Sequence, residues 1–180
     1  VLLERGYSVS GSDRVSSPLF LAITEAGAHT FLGHAAEQID GADIVIQSSA
    51  IPDDNPEVSA AKRQGIPVLK RSEFLDELTK GKDTLAVAGS HGKTTTTAML
   101  IWILDQLGVD PSFIVGSIVS QLGINAHSGK GQYFAIEADE YDNMFLGLSP
   151  RIAVVTNIEH DHPDFFPTKE SYQAAFKKFI

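Results

Sequence analysis

The stretch Val87-Ala88-Gly89-Ser90-His91-Gly92-Lys93-Thr94-Thr95-Thr96-Thr97 carries the strongest chemical signal in the chain. An apolar run enters a Gly-x-x-Gly-Lys-Thr turn, and a helix pattern follows. That order suits phosphate binding. Backbone N–H groups at the turn and the helix N-terminus face an anion, Lys93 offers a point charge to β/γ oxygens, and the Thr94 hydroxyl can sit on Mg²⁺. The contact candidates are Gly89, Ser90, His91, Gly92, Lys93, Thr94 and Thr95, and the expected ligand is ATP or GTP. Phosphate loops of the common kind have a wider glycine spacing; here Val87 occupies the earlier glycine position, so the loop is a shortened form.

Two further clusters bring cation-binding chemistry. Phe134-Ala135-Ile136 is followed by Glu137, Asp139, Glu140 and Asp142, an acidic group just past an apolar run. Glu137, at the end of that run, is the best candidate to hold Mg²⁺ or a water in its shell, the alternative being a solvated acidic loop. Thr156-Asn157-Ile158-Glu159-His160-Asp161-His162 sets histidines and carboxylates in the turn after another apolar run. Two histidines so spaced, without a third strong ligand, are weak as a zinc site and equally suit a second Mg²⁺ or Mn²⁺. In the first half, Gly11-Ser12-Asp13, Gly33-His34 and Ser48-Ser49-Ala50-Ile51 offer small and polar groups that could take a ribose, base or phosphate. Ordinary turns and caps explain them as well by spacing alone.

The elements that must position these residues alternate between strand and helix. Tyr7 to Ser12 reads as a strand, Pro18 to Ala26 as a helix, His29 to Leu32 as an extended stretch, and Ala35 to Ile39 as a short helix. Ala42 to Gln47 suits a buried parallel strand. Asn55 and Pro56 cap and start a helix that Gly65 closes. Pro67 to Leu69 is a short strand, and Ser72 to Leu78 a helix capped at Ser72. The rhythm predicts an α/β chain with a doubly wound, mostly parallel sheet. Lys80-Gly81-Lys82-Asp83 marks a domain boundary, after which the alternation restarts. Thr84 to Ala88, Ser112 to Val115, Tyr133 to Glu137 and Ile152 to Asn157 are predicted strands, Lys93 to Leu107 a helix, and Gly116 to Gly131 a long functional loop. Gly89, Glu137 and Asn157 then all fall at the carboxyl ends of strands, where open α/β sheets bind ligands.

With 180 residues, 43% hydrophobic and 21% charged, the chain can build one good core or two small ones. A net charge of -9 argues against a nucleic-acid surface. The absence of cysteine excludes disulfides and thiolate metal sites. No apolar run reaches membrane-spanning length, and the expected location is the cytoplasm. Val1 to Gly6 reads as the last turn of a helix and Ser171 to Ile180 as a helix without a cap, so an internal fragment is expected.

Taken together, Gly89-Ser90-His91-Gly92-Lys93-Thr94-Thr95-Thr96-Thr97, Glu137-Ala138-Asp139-Glu140 and Thr156-Asn157-Ile158-Glu159 followed by Asp161-His162 resemble the Mur ligase family over essentially the whole chain. The resemblance implies a Rossmann-like UDP-substrate-binding domain over residues 1–80, without its first strand, and the N-terminal portion of a P-loop-type ATPase domain over 81–180. It implies an ATP-dependent amide ligase of peptidoglycan precursor synthesis with two Mg²⁺ ions. In such an enzyme the muramyl carboxylate takes the γ-phosphoryl group and an amine displaces phosphate. Lys93 would stabilise the transferring phosphoryl group, Thr94 and Glu137 would hold the first ion, His162 the second, and Asn157 would help order that site. Asp13, His34, Ser48, Ser49 and Ala50 would lie near UDP, and Asn125 with Ala126 near the muramyl group.

Within the family, Ser48-Ser49-Ala50-Ile51-Pro52 and Asn55-Pro56-Glu57 are similar to members that join L-alanine to UDP-N-acetylmuramate, whereas Tyr141 is similar to those that attach a recycled murein tripeptide. A non-catalytic nucleotide-binding module is a further alternative. A P-loop kinase, a dinucleotide oxidoreductase and the folylpolyglutamate type of ligase match the motifs less well. The resemblance also implies that these residues fold without ligating on their own.

Overall fold

The computed structural model describes residues 1–180. Packing divides them into two compact units, Val1–Arg71 and Ser72–Ile180. This division falls one helix before the polar turn at Lys80 to Asp83.

The first unit contains β1 (Ser10–Asp13), α1 (Pro18–Glu25), β2 (His29–Leu32), a 3₁₀ turn at Ala36–Ile39, β3 (Val45–Gln47), α2 (Pro56–Gln64) and β4 (Val68–Lys70). Local chemistry accounts for its helices. Ser17 Oγ accepts from Phe20 N–H at 3.1 Å ahead of Pro18. Asn55 Oδ1 accepts from Glu57 N–H at 2.9 Å and Val58 N–H at 3.4 Å, Pro56 opens α2, and Gly65 closes it at φ 73°. Ala60 and Ala61 of α2 bury against Ile39, with Val45, Ile66 and Val68 packed around them. β1 pairs in parallel with β2 and β3 with β4, as two separate ladders rather than one continuous sheet. The strand expected over Tyr7 to Ser12 starts its ladder only at Ser10, although His29 N–H still reaches Val9 O at 2.9 Å.

The second unit contains α3 (Arg71–Thr79) from its second residue onward, β5 (Asp83–Ala88), α4 (Lys93–Gln106), β6 (Ser112–Val119), β7 (Ile124–His127), β8 (Tyr133–Glu137), a 3₁₀ segment at Tyr141–Gly147, β9 (Ile152–Val155) and α5 (Lys169–Phe179). Its sheet runs β7-β6-β8-β5-β9, all parallel except β7. Phe113, Ala135 and Leu85 share one register row, and on that face the apolar side chains of Ile101 and Leu104 from α4 cover them. A second, aromatic core joins α5 to the 3₁₀ segment. Phe145 stacks on Phe179 at 4.7 Å and meets Phe176 edge-on at 5.2 Å.

Two expectations are corrected. Gly116 to Gly131 is not an irregular loop: β6 continues to Val119 and β7 returns antiparallel to it, with Ala126 opposite Ile114 and Ile124 opposite Val119. Its glycines and polar residues masked a hairpin whose register shifts midway, which breaks the period-2 pattern. Helix α3 begins at Arg71 rather than after a cap at Ser72. No helix is long and apolar enough to cross a membrane.

Candidate functional site

The sheet order explains why residues distant in sequence meet. β5 lies between β8 and β9, so the turns after all three strands open at one end of the sheet. The turn after β5 is the Gly89-to-Thr94 segment whose sequence suits phosphate. Val87, at the earlier glycine position of a longer loop, is a buried strand residue paired with Glu137 and Val154, so the turn begins only at Gly89. Gly89 has φ 134°, and a Cβ there would overlap Thr156 Oγ1 and lie 3.0 Å from Asn157 O. This position therefore requires glycine for both conformation and space. Gly92, at φ 81°, then turns the chain into α4, whose first residues are Lys93 and Thr94.

The turn after β9 buttresses that loop through hydrogen bonds. Asn157 Oδ1 accepts from His91 N–H at 3.0 Å, its Nδ2 donates to His91 O at 3.3 Å, and its carbonyl accepts from Ser90 N–H at 3.1 Å. Thr156 Oγ1 donates to His91 O at 2.6 Å, and Glu159 N–H donates to Ser90 Oγ at 2.8 Å. Asn157 thus supports the loop backbone from beneath.

The acidic residues at the end of β8 and just past it split into two sets of contacts. Thr94 Oγ1 donates to Glu137 Oε1 at 2.8 Å, and Gly116 N–H donates to Glu137 Oε2 at 2.7 Å. Glu140 instead takes the lysine: Lys93 Nζ donates to its two oxygens at 3.1 and 2.9 Å and to Gly89 O at 2.6 Å. Glu140 is 0% exposed. A carboxylate so deep survives only because its charge is paired and hydrogen-bonded. Its remaining donor is Tyr172 OH on α5, at 2.9 Å, and that hydroxyl also meets Ser90 Oγ at 2.8 Å. Burial pushes the Tyr172 phenol well above its ordinary value, so it stays a neutral donor.

His162 stands beside this cluster, its Nε2 3.9 Å from Glu140 Oε1. Its backbone is left-handed at φ 53°, and its N–H donates to Asp161 Oδ1 at 2.7 Å, which holds that carboxyl below the usual range. Tyr141 meets the His162 ring edge-on at 5.1 Å and donates to Asp164 Oδ2 at 3.1 Å, a bond that raises the Tyr141 phenol.

The residues fit Mg²⁺ of one particular kind. No three His, Asp or Glu side chains converge into a ready cage. Thr94 and Glu137 supply two adjacent hard oxygens, which is what Mg²⁺ takes from a protein when phosphates and waters complete its octahedron. His162 faces Glu140 rather than this pair.

The first unit is a separate cluster. Ser12 Oγ donates to Glu57 Oε1 at 2.6 Å, and His34 Nδ1 lies 2.9 Å from both. Because a carboxylate only accepts, Nδ1 carries the proton of the bond to Glu57. The ring Nε2 is buried without a partner. Asp13 closes a turn by accepting from Val15 N–H at 3.0 Å, and Ser48 O accepts from Ile51 N–H at 3.0 Å, so Ser48, Ser49 and Ala50 sit in a tight turn after β3. Gln47 braces that turn through Ile51 O at 2.8 Å and Asp53 Oδ1 at 3.0 Å, and this bond chiefly holds the Asp53 carboxyl low. Asn125 and Ala126, expected in a loop, lie on β7.

Sequence reasoning gives no individual role to Glu140, Tyr172 or Glu57, although Glu140 and Glu57 stand within its motifs. Glu140 is one of several acids in a row, and nothing in the spacing marks it as the partner of Lys93. Tyr172 reads as an ordinary apolar position of an amphipathic helix.

Comparison with known proteins agrees with this geometry. The Mur ligase family catalytic domain matches residues 1–83 and the Mur ligase middle domain residues 87–180. A UDP-N-acetylmuramate–L-alanine ligase of Geobacter sp. (strain M21) is 49% identical over all of this chain, which spans 39% of that protein. The Aquifex aeolicus (strain VF5) protein of the same name is 45% identical, and the chain spans 40% of it. Among solved structures, UDP-N-acetylmuramate-alanine ligase from Thermotoga maritima superposes with a TM-score of 0.90 at 30% identity, covering 98% of this chain and 42% of that one. The UDP-N-acetylmuramate:L-alanyl-gamma-D-glutamyl-meso-diaminopimelate ligase from Neisseria meningitides gives 0.89 at 31% identity, covering 98% and 61%. With the middle-domain match spanning the phosphate loop, Glu137 and His162, the chain belongs to the Mur ligase family.

Proposed function

We propose that this chain supplies the UDP-side and ATP-side elements of a cytoplasmic, ATP-dependent ligase that joins L-alanine to UDP-N-acetylmuramate through an acyl phosphate. The observation that carries the reading is the convergence of Lys93, Thr94 and Glu137 at the carboxyl end of β5 and β8. The names of the relatives support the choice of substrates. Lys93 and the amides around Gly92 stabilise charge on the transferring phosphoryl group. Thr94 and Glu137 hold Mg²⁺, which when bound screens the phosphate oxygens. His162 is the candidate ligand of a second ion, and Asn157 keeps the loop shaped for nucleotide. Asp13, His34 and the Ser48 to Ala50 turn face the UDP group, where the buried His34 Nε2 has no partner within the protein. Asn125 and Ala126 contact the muramyl part.

A second reading, ligation of a recycled murein tripeptide to the same nucleotide sugar, is favoured by Tyr141 and by the likeness to the Neisseria structure. The deciding experiment is phosphate release by the intact protein with UDP-N-acetylmuramate and ATP, offering L-alanine or the tripeptide. Turnover with L-alanine is expected; release with tripeptide alone would establish the second reading instead. Lys93→Ala and Glu137→Ala should each abolish turnover, and retention of activity by both would make this site a binding module that takes no part in the chemistry.

A further inference from the structure

Lys93 has three N–H donors, and all three are spent inside the protein, on Gly89 O and on the two oxygens of Glu140. A phosphate can gain this lysine only by exchange. Glu140 competes well for it, since the carboxylate is 0% exposed and the lysine side chain only 15% exposed, so solvent screens the pair little. Resting on the nucleotide-site reading above, we propose that Glu140 is a positioning residue that holds Lys93 in reserve, and that it weakens nucleotide binding enough to let the product nucleoside diphosphate leave.

Tyr172 sets how firmly Glu140 holds on. Its hydroxyl donates to Glu140 Oε1, drawing charge density off the oxygen that also takes Lys93. The same hydroxyl touches Ser90 Oγ, so the latch is anchored in the loop it controls. Removing either group therefore has opposite consequences. In Glu140→Gln the amide oxygen at the Oε2 place still accepts from Lys93, while an NH₂ at the Oε1 place donates to Tyr172 and no longer accepts from Lys93, so the side chain keeps its size, one lysine bond is freed and one negative charge leaves the site. Anion binding then strengthens. In Tyr172→Phe the carboxylate loses its neutral donor, leans harder on Lys93, and anion binding weakens. A role confined to packing would weaken binding in both variants.

The test is calorimetric titration of the intact protein with ADP and Mg²⁺, alongside the KM for ATP. Glu140→Gln is expected to bind ADP roughly five- to thirty-fold more tightly, with a lower KM for ATP, while Tyr172→Phe binds about two- to five-fold more weakly. Tighter binding in the first and weaker in the second supports the latch. Unchanged or weaker binding by Glu140→Gln, or shifts of both in one direction, overturns it. Should Glu140→Gln fail to fold, Tyr172→Phe decides alone, and equal or tighter ADP binding there overturns the latch. Wild-type binding that Lys93→Ala abolishes, with Glu140→Gln unchanged, removes the latch and leaves the nucleotide site standing. No ADP binding by wild type overturns both.

Discussion

Gly89→Ala tests whether the shortened loop is locked by its neighbour strand. Gly89 sits at φ 134°, a region essentially reserved for glycine, where an L side chain costs about 1–3 kcal/mol. Its added Cβ would overlap Thr156 Oγ1 and press on Asn157 O and N at 3.0 and 3.1 Å. Forced overpacking of that kind costs about 1–3 kcal/mol. Thr156 cannot swing aside freely, because its hydroxyl donates to His91 O at 2.6 Å and also reaches Ala88 O at 3.3 Å. The two terms together give about 2–6 kcal/mol of destabilisation. Urea unfolding read through Trp102, the single tryptophan, on α4 of the same unit, measures it directly. A double-mutant cycle isolates the cause: in a Thr156→Ala background the oxygen is gone, and Gly89→Ala should cost at least about 1 kcal/mol less. A Gly89→Ala variant within about 0.5 kcal/mol of wild type, or a cycle with no coupling, would refute the account of the loop.

Three further outcomes are expected from the same structure. Asn55→Ala removes the oxygen that caps two N–H groups of α2 and should lower stability by about 1 kcal/mol in urea unfolding, with Asn55→Asp close to wild type. Phe145→Ala empties the space stacked on Phe179 and edged by Phe176, and should cost about 3–5 kcal/mol in the same measurement. Asp110 accepts from Lys130 N–H at 2.8 Å, which holds its carboxyl below the usual value. A lowered folded pKa gives stability that is present above the unfolded value of about 3.9 and is lost as pH falls through the folded one. Asp110→Asn should therefore lower the urea midpoint at pH 7 and flatten its decline towards acid; parallel curves for the two proteins would contradict that assignment.

How far the sequence could be read depended on whether the controlling interaction was local. Helix α2 was legible to the residue because Asn55, Pro56 and Gly65 act within a turn of the chain. The phosphate loop was legible because glycine, lysine and threonine must sit at fixed offsets from one another. The hairpin of β6 and β7 was not, since its pairing shifts register between Ile114 and Val119, and the alternation that would reveal two strands is broken where it is most needed.

The division of labour between Glu137 and Glu140 was hidden for a deeper reason. Both follow the same strand, and their roles are set by what other segments bring to them. The start of α4, carried by the turn after β5, delivers Thr94 to Glu137 and Lys93 to Glu140, while α5 delivers Tyr172 from far along the chain. Strand order decides this. With β5 between β8 and β9, the loop meets acids from one side and supporting amides from the other. A sheet with β5 at its edge would keep every motif and lose one half of that clamp. The motifs name the chemistry, and the order β8-β5-β9 makes their residues neighbours.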